Sequence, residues 1–156
     1  MADLAPFRRR FRYHAWATGL LTEAVGQRPS SGARRPLGHA LVADRIWLLR
    51  LRGEPTNGLV LWPELDAAGC RALAHRNAEA YAEYLGALSE ATLDETVAYQ
   101  NSKGATYETA VRDVLDHILL HAAHHRGQPN AALRAAGAEP PWVDYIAWVR
   151  AGEPSP

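Results

Sequence analysis

Histidine is the residue whose spacing in this chain most plainly allows chemistry. Four of the seven histidines, His117, His121, His124 and His125, fall within nine residues. On an α-helix each residue turns by about 100°, so 117, 121 and 124 lie within about 60° of one another, and His125 widens the arc to about 100°. One side of one helix would therefore carry all four. Leu120 and Val114 share that side, which predicts that it looks into the protein interior. Imidazoles at i and i+4 project two nitrogens towards a common point, the arrangement with which a helical His-x-x-x-His holds zinc. His117 with His121 is one such pair and His121 with His125 is the other. His117 and His125 are separated by about 12 Å of helix rise, too far for one ion, so His121 belongs to either choice. A third ligand has to come from another segment. His39, in LGHALVADRIWL, is available, although spacing alone does not single it out. Three histidines leave a coordination position open for water or substrate, which marks reactive rather than purely structural zinc.

The competing reading is a solvent-facing histidine run. Against it stand the core-type Leu and Ala residues between the histidines and their place in mid-chain. His14 and His75, each alone in its segment, read as ordinary hydrogen-bonded or surface residues. Cys70 is the sole cysteine, which excludes an internal disulfide and a cysteine zinc site and fits a reducing cytoplasm. No motif surrounds it, and no Ser/His/Asp or Cys/His set competes with the histidines.

The elements that must position these residues are helical. From Asp3 to Val25, Leu4, Phe7, Phe11, Ala15, Leu20 and Ala24 recur at helical spacing. Gln27 to Pro36 reads as a loop. A second helix should begin near Leu37, carry Leu41, Ile46, Leu48 and Leu49, and stop at Gly53. A third is predicted over Asp66–Ser89. The β-prone Val97 and Tyr99, followed by turn residues up to Gly104, predict a short extended segment or hairpin. The last long helix should run from about Thr106 to Ala136, with a kink or break near Gly127–Pro129, and Trp142–Arg150 should add a short one. The five tryptophans read as packing anchors. The pattern as a whole gives an all-α four-helix bundle forming a single domain over residues 1–151, with a disordered tail at 152–156.

Composition narrows the function. The chain has 156 residues, of which 47% are hydrophobic and 22% charged, and 17 basic residues balance 17 acidic ones. A nucleic-acid binder would carry a basic excess or stripe, and Arg8–Arg10 and Arg34–Arg35 are too short for one. No apolar run approaches the ~20 residues of a membrane span, and the N-terminus lacks the pattern of a signal peptide, so a cytoplasmic protein without nucleic-acid or membrane partners is expected.

Several stretches, taken together, resemble the DinB family of damage-inducible metal-binding proteins, within the DinB/YfiT-like superfamily. They are YHAWAT at 13–18, GHALVADRIWLLRLRG at 38–53, VAYQNSKG at 97–104, DHILLHAAHHRGQ at 116–128 and PPWVDYIAWVR at 140–150. The resemblance implies a four-helix bundle of up-down-down-up type with a three-histidine metal site. Carried over by motif, the ligands are His39, His121 and His125. His124 then becomes a neighbour and His117 a bundle-facing residue one turn earlier. Among the other motif polars, Asp44, Arg45 and Arg126, Asp44 would orient a ligand or pair with Arg126 across the bundle, the competing reading being a structural ion pair or a helix-surface charge. Two positions depart from the family pattern: His14 stands where relatives usually have Asn, and Pro129 follows HHRGQ directly. A His14 that reached the metal would enrich the site in imidazole.

The resemblance also implies candidate activities. Characterised members of the superfamily include metal-dependent transferases and isomerases that use a low-molecular-weight thiol. An open position on a His₃ ion suits a thiol sulfur, which the metal would activate for attack on an electrophile. Hydrolysis by activated water is the close variant, and a non-catalytic, stress-associated metal- or ligand-binding protein is the alternative class. Imidazole ligands suit zinc and nickel alike. Family bundles commonly pair through helix faces, so a homodimer is expected.

Overall fold

The computed structural model describes residues 3–29 and 32–156. Its elements in chain order are α1 (Ala5–Gly26), α2 (Arg34–Leu51), α3 (Ala67–Ala87), a short 3₁₀ turn (Ala91–Asp94), β1 (Thr96–Gln100), β2 (Thr106–Ala110), α4 (Val111–Ala135) and α5 (Tyr145–Arg150). Ser30 and Ser31 of the predicted first loop lie outside the described residues. The second helix starts at Arg34, three residues before the predicted Leu37.

Local chemistry explains several of these boundaries. Asp66 caps α3, its side chain accepting the Gly69 N–H at 2.7 Å. α2 ends where Gly53 takes a positive φ of 67° and the Glu54 N–H reaches back to the Leu49 carbonyl at 2.8 Å. The expected extended segment is a full hairpin, with Thr96 opposite Ala110 and Tyr99 opposite Tyr107. Its turn is held by Asn101, whose Oδ1 accepts N–H bonds from Lys103 and Ala105 at 2.9 and 3.0 Å.

The hairpin shortens the last long helix. Thr106–Ala110, predicted as its first turn, is a strand, because Tyr107 stacks on Tyr99 and Thr109 meets the Tyr99 hydroxyl at 3.2 Å. Those cross-strand pairs outweigh the helical start that the sequence suggested. The predicted break at Pro129 does not occur, and α4 runs through it to Ala135. A proline here still lacks the N–H that would have bonded the His125 carbonyl, four residues back.

Side-chain contacts fix the helix directions. Phe11 meets Tyr81 and Arg8 reaches the Leu85 carbonyl, so α1 and α3 run antiparallel. Asn77 bonds the Leu41 carbonyl and Tyr81 that of Asp44, so α2 and α3 run parallel. His39 meets His125 and Trp47 meets His117, so α2 and α4 are antiparallel. Arg10 pairs with Asp116 and Arg126 with His14, so α1 and α4 are parallel. The result is an up-down-down-up four-helix bundle, with α1 and α2 barely touching across one diagonal.

Two apolar clusters form the core. One holds Phe7, Phe11, Leu48, Tyr81, Leu85 and Ile118; the other holds Leu21, Val25, Leu37, Leu41, Cys70 and Leu133. Between them each of the four long helices contributes a buried polar side chain: His14 and Thr18 from α1, Asp44 from α2, Asn77 from α3 and Arg126 from α4. The buried face of α1 thus includes His14, Thr18 and Leu21, where the apolar pattern pointed to Ala15 and Leu20. The last residues, read as a disordered tail, make defined contacts. Glu153 pairs with Arg9 at 2.5 Å and with Arg12 at 3.3 Å, and the Trp148 indole donates to the Pro154 carbonyl at 2.9 Å. Among the described residues, no helix is long and apolar enough to cross a membrane.

Candidate metal centre

The buried stripe of α4 is Val111, Val114, Leu115, Ile118, Ala122, Arg126, Pro129 and Leu133. His117, His121 and His125 each precede a member of that stripe by one residue, which turns them by about 100° onto the flank of the helix. The histidine side therefore does not face the bundle centre, as predicted, but its α2 edge. Leu120, expected to share an inward face, is 72% exposed. His121 and His125 are half-buried, and His117 and His124 are exposed.

At this edge His39 of α2 comes to the same place as the α4 pair. Its ring centroid lies 4.6 Å from that of His125, and the His125 and His121 centroids are 4.3 Å apart. The Nε2 atoms of His121 and His125 stand 3.1 Å from each other. Two nitrogens sharing a tetrahedral zinc at ~2.0–2.1 Å would be separated by about 3.3 Å, so this spacing matches the donor set an ion requires. As the side chains stand, no group of three or more His, Cys, Asp or Glu among the described residues forms a ready coordination shell. The rings are neighbours without converging on one point.

Protonation favours ligation. Burial, then the adjacent His125 and His117, push the His121 pKa down to about 4, and burial followed by the charge of His39 lowers that of His125. Both rings are consequently neutral near pH ~7 and offer lone pairs. The His39 Nδ1 lies 2.7 Å from the Leu61 carbonyl, which can only accept, so Nδ1 carries a proton and Nε2 is the nitrogen left over for a ligand role. Metal-bound histidines are commonly oriented by such a bond to backbone. The other face of His39 is covered by Trp62, stacked at 4.0 Å with the rings within 10° of parallel.

The remaining histidines separate cleanly. His117 packs edge-on against Trp47 at 4.6 Å, and His124 against His125 at 5.1 Å. His75 sits in solvent beside Glu79 at 3.2 Å. His14 does not join the α4 cluster. Its Nε2 lies 2.9 Å from Asp44 Oδ2 and its Nδ1 lies 2.8 Å from Arg126 Nη1. A guanidinium only donates, so Nδ1 accepts and Nε2–H donates to the carboxylate. The expected direct pair between Asp44 and Arg126 is thus replaced by a chain with His14 in the middle.

The tryptophans do not all serve as packing anchors. Trp148 is fully buried, whereas Trp62 is 44% exposed and Trp142 is 64% exposed. Sequence reasoning missed Trp62 and the Leu61 carbonyl as supports of His39, because a loop before α3 gives no periodic signal. A cavity of about 1010 Å³ also opens between α1 and α3. His14 and Asp44 line it, but His39, His121 and His125 do not.

The family model described as DinB family matches residues 21–154. This chain belongs to the DinB family. The match covers nearly the whole chain, including α2, the hairpin and α4, and so all three of the histidines gathered at the α2/α4 edge. No curated protein and no solved structure matches this DinB-family chain.

Proposed function

We propose that this DinB-family chain binds a divalent metal ion through His39, His121 and His125 and acts as a metal-dependent enzyme of the thiol-transferring type. The observation that carries the reading is the meeting of His39 with the His121/His125 pair, whose Nε2 atoms are 3.1 Å apart on rings kept neutral by burial. A bound zinc or nickel ion would lower the pKa of a thiol, or in the hydrolytic variant of water, and so supply a nucleophile at neutral pH. The chain's own residues do the rest. Leu61 and Trp62 hold the His39 ring from two sides. In the transfer a sulfur–carbon bond forms, the bond to a leaving group such as chloride breaks, and the thiol proton passes to solvent.

A second reading, a non-catalytic metal- or ligand-binding protein, is favoured by one observation. The buried ionisable groups closest to the site, His14, Asp44 and Arg126, are engaged with one another, leaving no free acid or base among them. The deciding experiment is elemental analysis of untagged protein, followed by incubation of the metal-loaded chain with cellular thiols and a chlorinated aromatic electrophile. About one bound ion per chain, with thiol consumption that His125→Ala abolishes, is expected. A bound ion with no consumption of any thiol supports the second reading, and absence of metal binding overturns the first reading and the metal-binding form of the second.

A further inference from the structure

Among the described residues, Arg50 is a cation without an anion. It lies at the end of α2, where its guanidinium carbon sits 4.6 Å from the Trp47 ring centre and 5.3 Å from that of Tyr99. Among the described residues no carboxylate is within ion-pair distance of it. Its Nε is buried with no hydrogen-bond partner. Burial also lowers its pKa somewhat, as expected for a charge held against aromatic rings without a counter-ion. An unpaired buried donor is costly.

A pocket of about 360 Å³ opens beside this group, lined by Arg50, Thr56, Asn57, Tyr99, Gln100 and Thr106 among others. That volume lies within the range of small-molecule sites. Glu54 is also on its wall but makes no ion pair with Arg50. The lining thus combines one unpaired cation with uncharged amides and hydroxyls and a single exposed carboxylate, that of Glu54. Cation–π contacts engage the guanidinium faces, whereas its N–H donors lie in the plane of the group, where they form the fork that matches a carboxylate.

A row of aromatic contacts links the wall of the pocket to the histidines. Trp47 touches Tyr99 at 5.2 Å and His117 at 4.6 Å, and His117 is 5.3 Å from His121. Eight residues separate His39 from Trp47 on α2, and eight separate His117 from His125 on antiparallel α4, about 12 Å of rise in each case. A ligand joining the two places would be an extended molecule of small-peptide size.

We infer that the Arg50 pocket is a carboxylate-binding subsite, and, resting on the reading above, that it takes the carboxylate end of the small-molecule thiol whose sulfur goes to the histidines. The test uses the metal-free full chain, so that it stands apart from metal binding. N-acetylglycine, its neutral amide and inorganic phosphate are titrated separately and followed by ¹⁵N NMR. The acid should shift the Arg50 Nε–H and the side-chain amides of Asn57 and Gln100 saturably, and the amide should bind at least about tenfold more weakly. Arg50→Met should remove the difference between acid and amide, while Arg50→Lys should retain part of it as a point charge. Equal binding of acid and amide, no shift at these groups, or tighter binding of phosphate would overturn the subsite. An acid preference in a chain that binds no metal would sink the thiol reading and leave the subsite standing.

Discussion

Arg126 donates to His14 at 2.8 Å in the middle of the bundle, and His14 in turn donates to Asp44 at 2.9 Å. The three side chains are buried and come from three different helices, so each satisfies a neighbour largely withdrawn from solvent.

Arg126→Met should therefore be strongly destabilising. It leaves the Asp44 carboxylate buried without a nearby cation and His14 without a donor, at a cost of about 3–5 kcal/mol. Urea unfolding followed by circular dichroism measures this. A loss below ~1 kcal/mol would mean that solvent reaches the chain and replaces the guanidinium.

The pH dependence of the metal-free protein follows from His121. Its folded pKa of about 4 lies below the ordinary 6.5, so the unfolded chain takes up a proton in that window that the folded one refuses. The sign is then fixed: this contribution is present above the unfolded value and disappears as pH falls towards the folded one. The ring is partly solvated, so the loss should be about 1–2 kcal/mol, less than the full shift would give. Urea midpoints at pH ~7 and ~4.5 check it, and His121→Gln should flatten the difference.

Trp62→Ala should separate support of the site from support of the fold. The indole is nearly half exposed and lies outside both apolar clusters, so stability should change by less than about 0.5 kcal/mol. Removing the plate on which His39 rests should nevertheless weaken metal binding by about tenfold or more. Competition with a metal-responsive dye measures the affinity. An unchanged affinity would show that the Leu61 carbonyl alone fixes the ring.

Cys70 should be unreactive in the native state. It is buried in the second apolar cluster, and burial raises its pKa, so little thiolate is available or accessible. Reaction with an aromatic disulfide reagent should be roughly a hundredfold faster in urea than in buffer. Rapid native labelling would show that the end of the bundle around α3 opens readily.

Much of the architecture was written in local patterns. Apolar residues at helical intervals placed all four long helices, Gly53 ended α2, and the Val97–Gly104 stretch announced the hairpin. The histidine run on α4 was likewise visible, since i and i+4 positions share a side wherever a helix forms. Which side that was could not be read locally. Leu120 suggested the interior, but the true buried stripe passes one residue over, through Ile118, Ala122 and Arg126. Burial is a relation between helices, and it needs the direction and neighbour of each.

The same distinction governs the site. Sequence alone determined that imidazoles stand at 39, 121 and 125 and that α4 can aim two of them together. Only the tertiary structure decided that antiparallel α2 brings His39 to that pair, that Trp62 and Leu61 hold its ring, and that His14 is spent on Asp44 and Arg126. These contacts join residues distant in the chain, and no spacing rule encodes such a meeting; it arises when buried polar groups must find partners across a packed core.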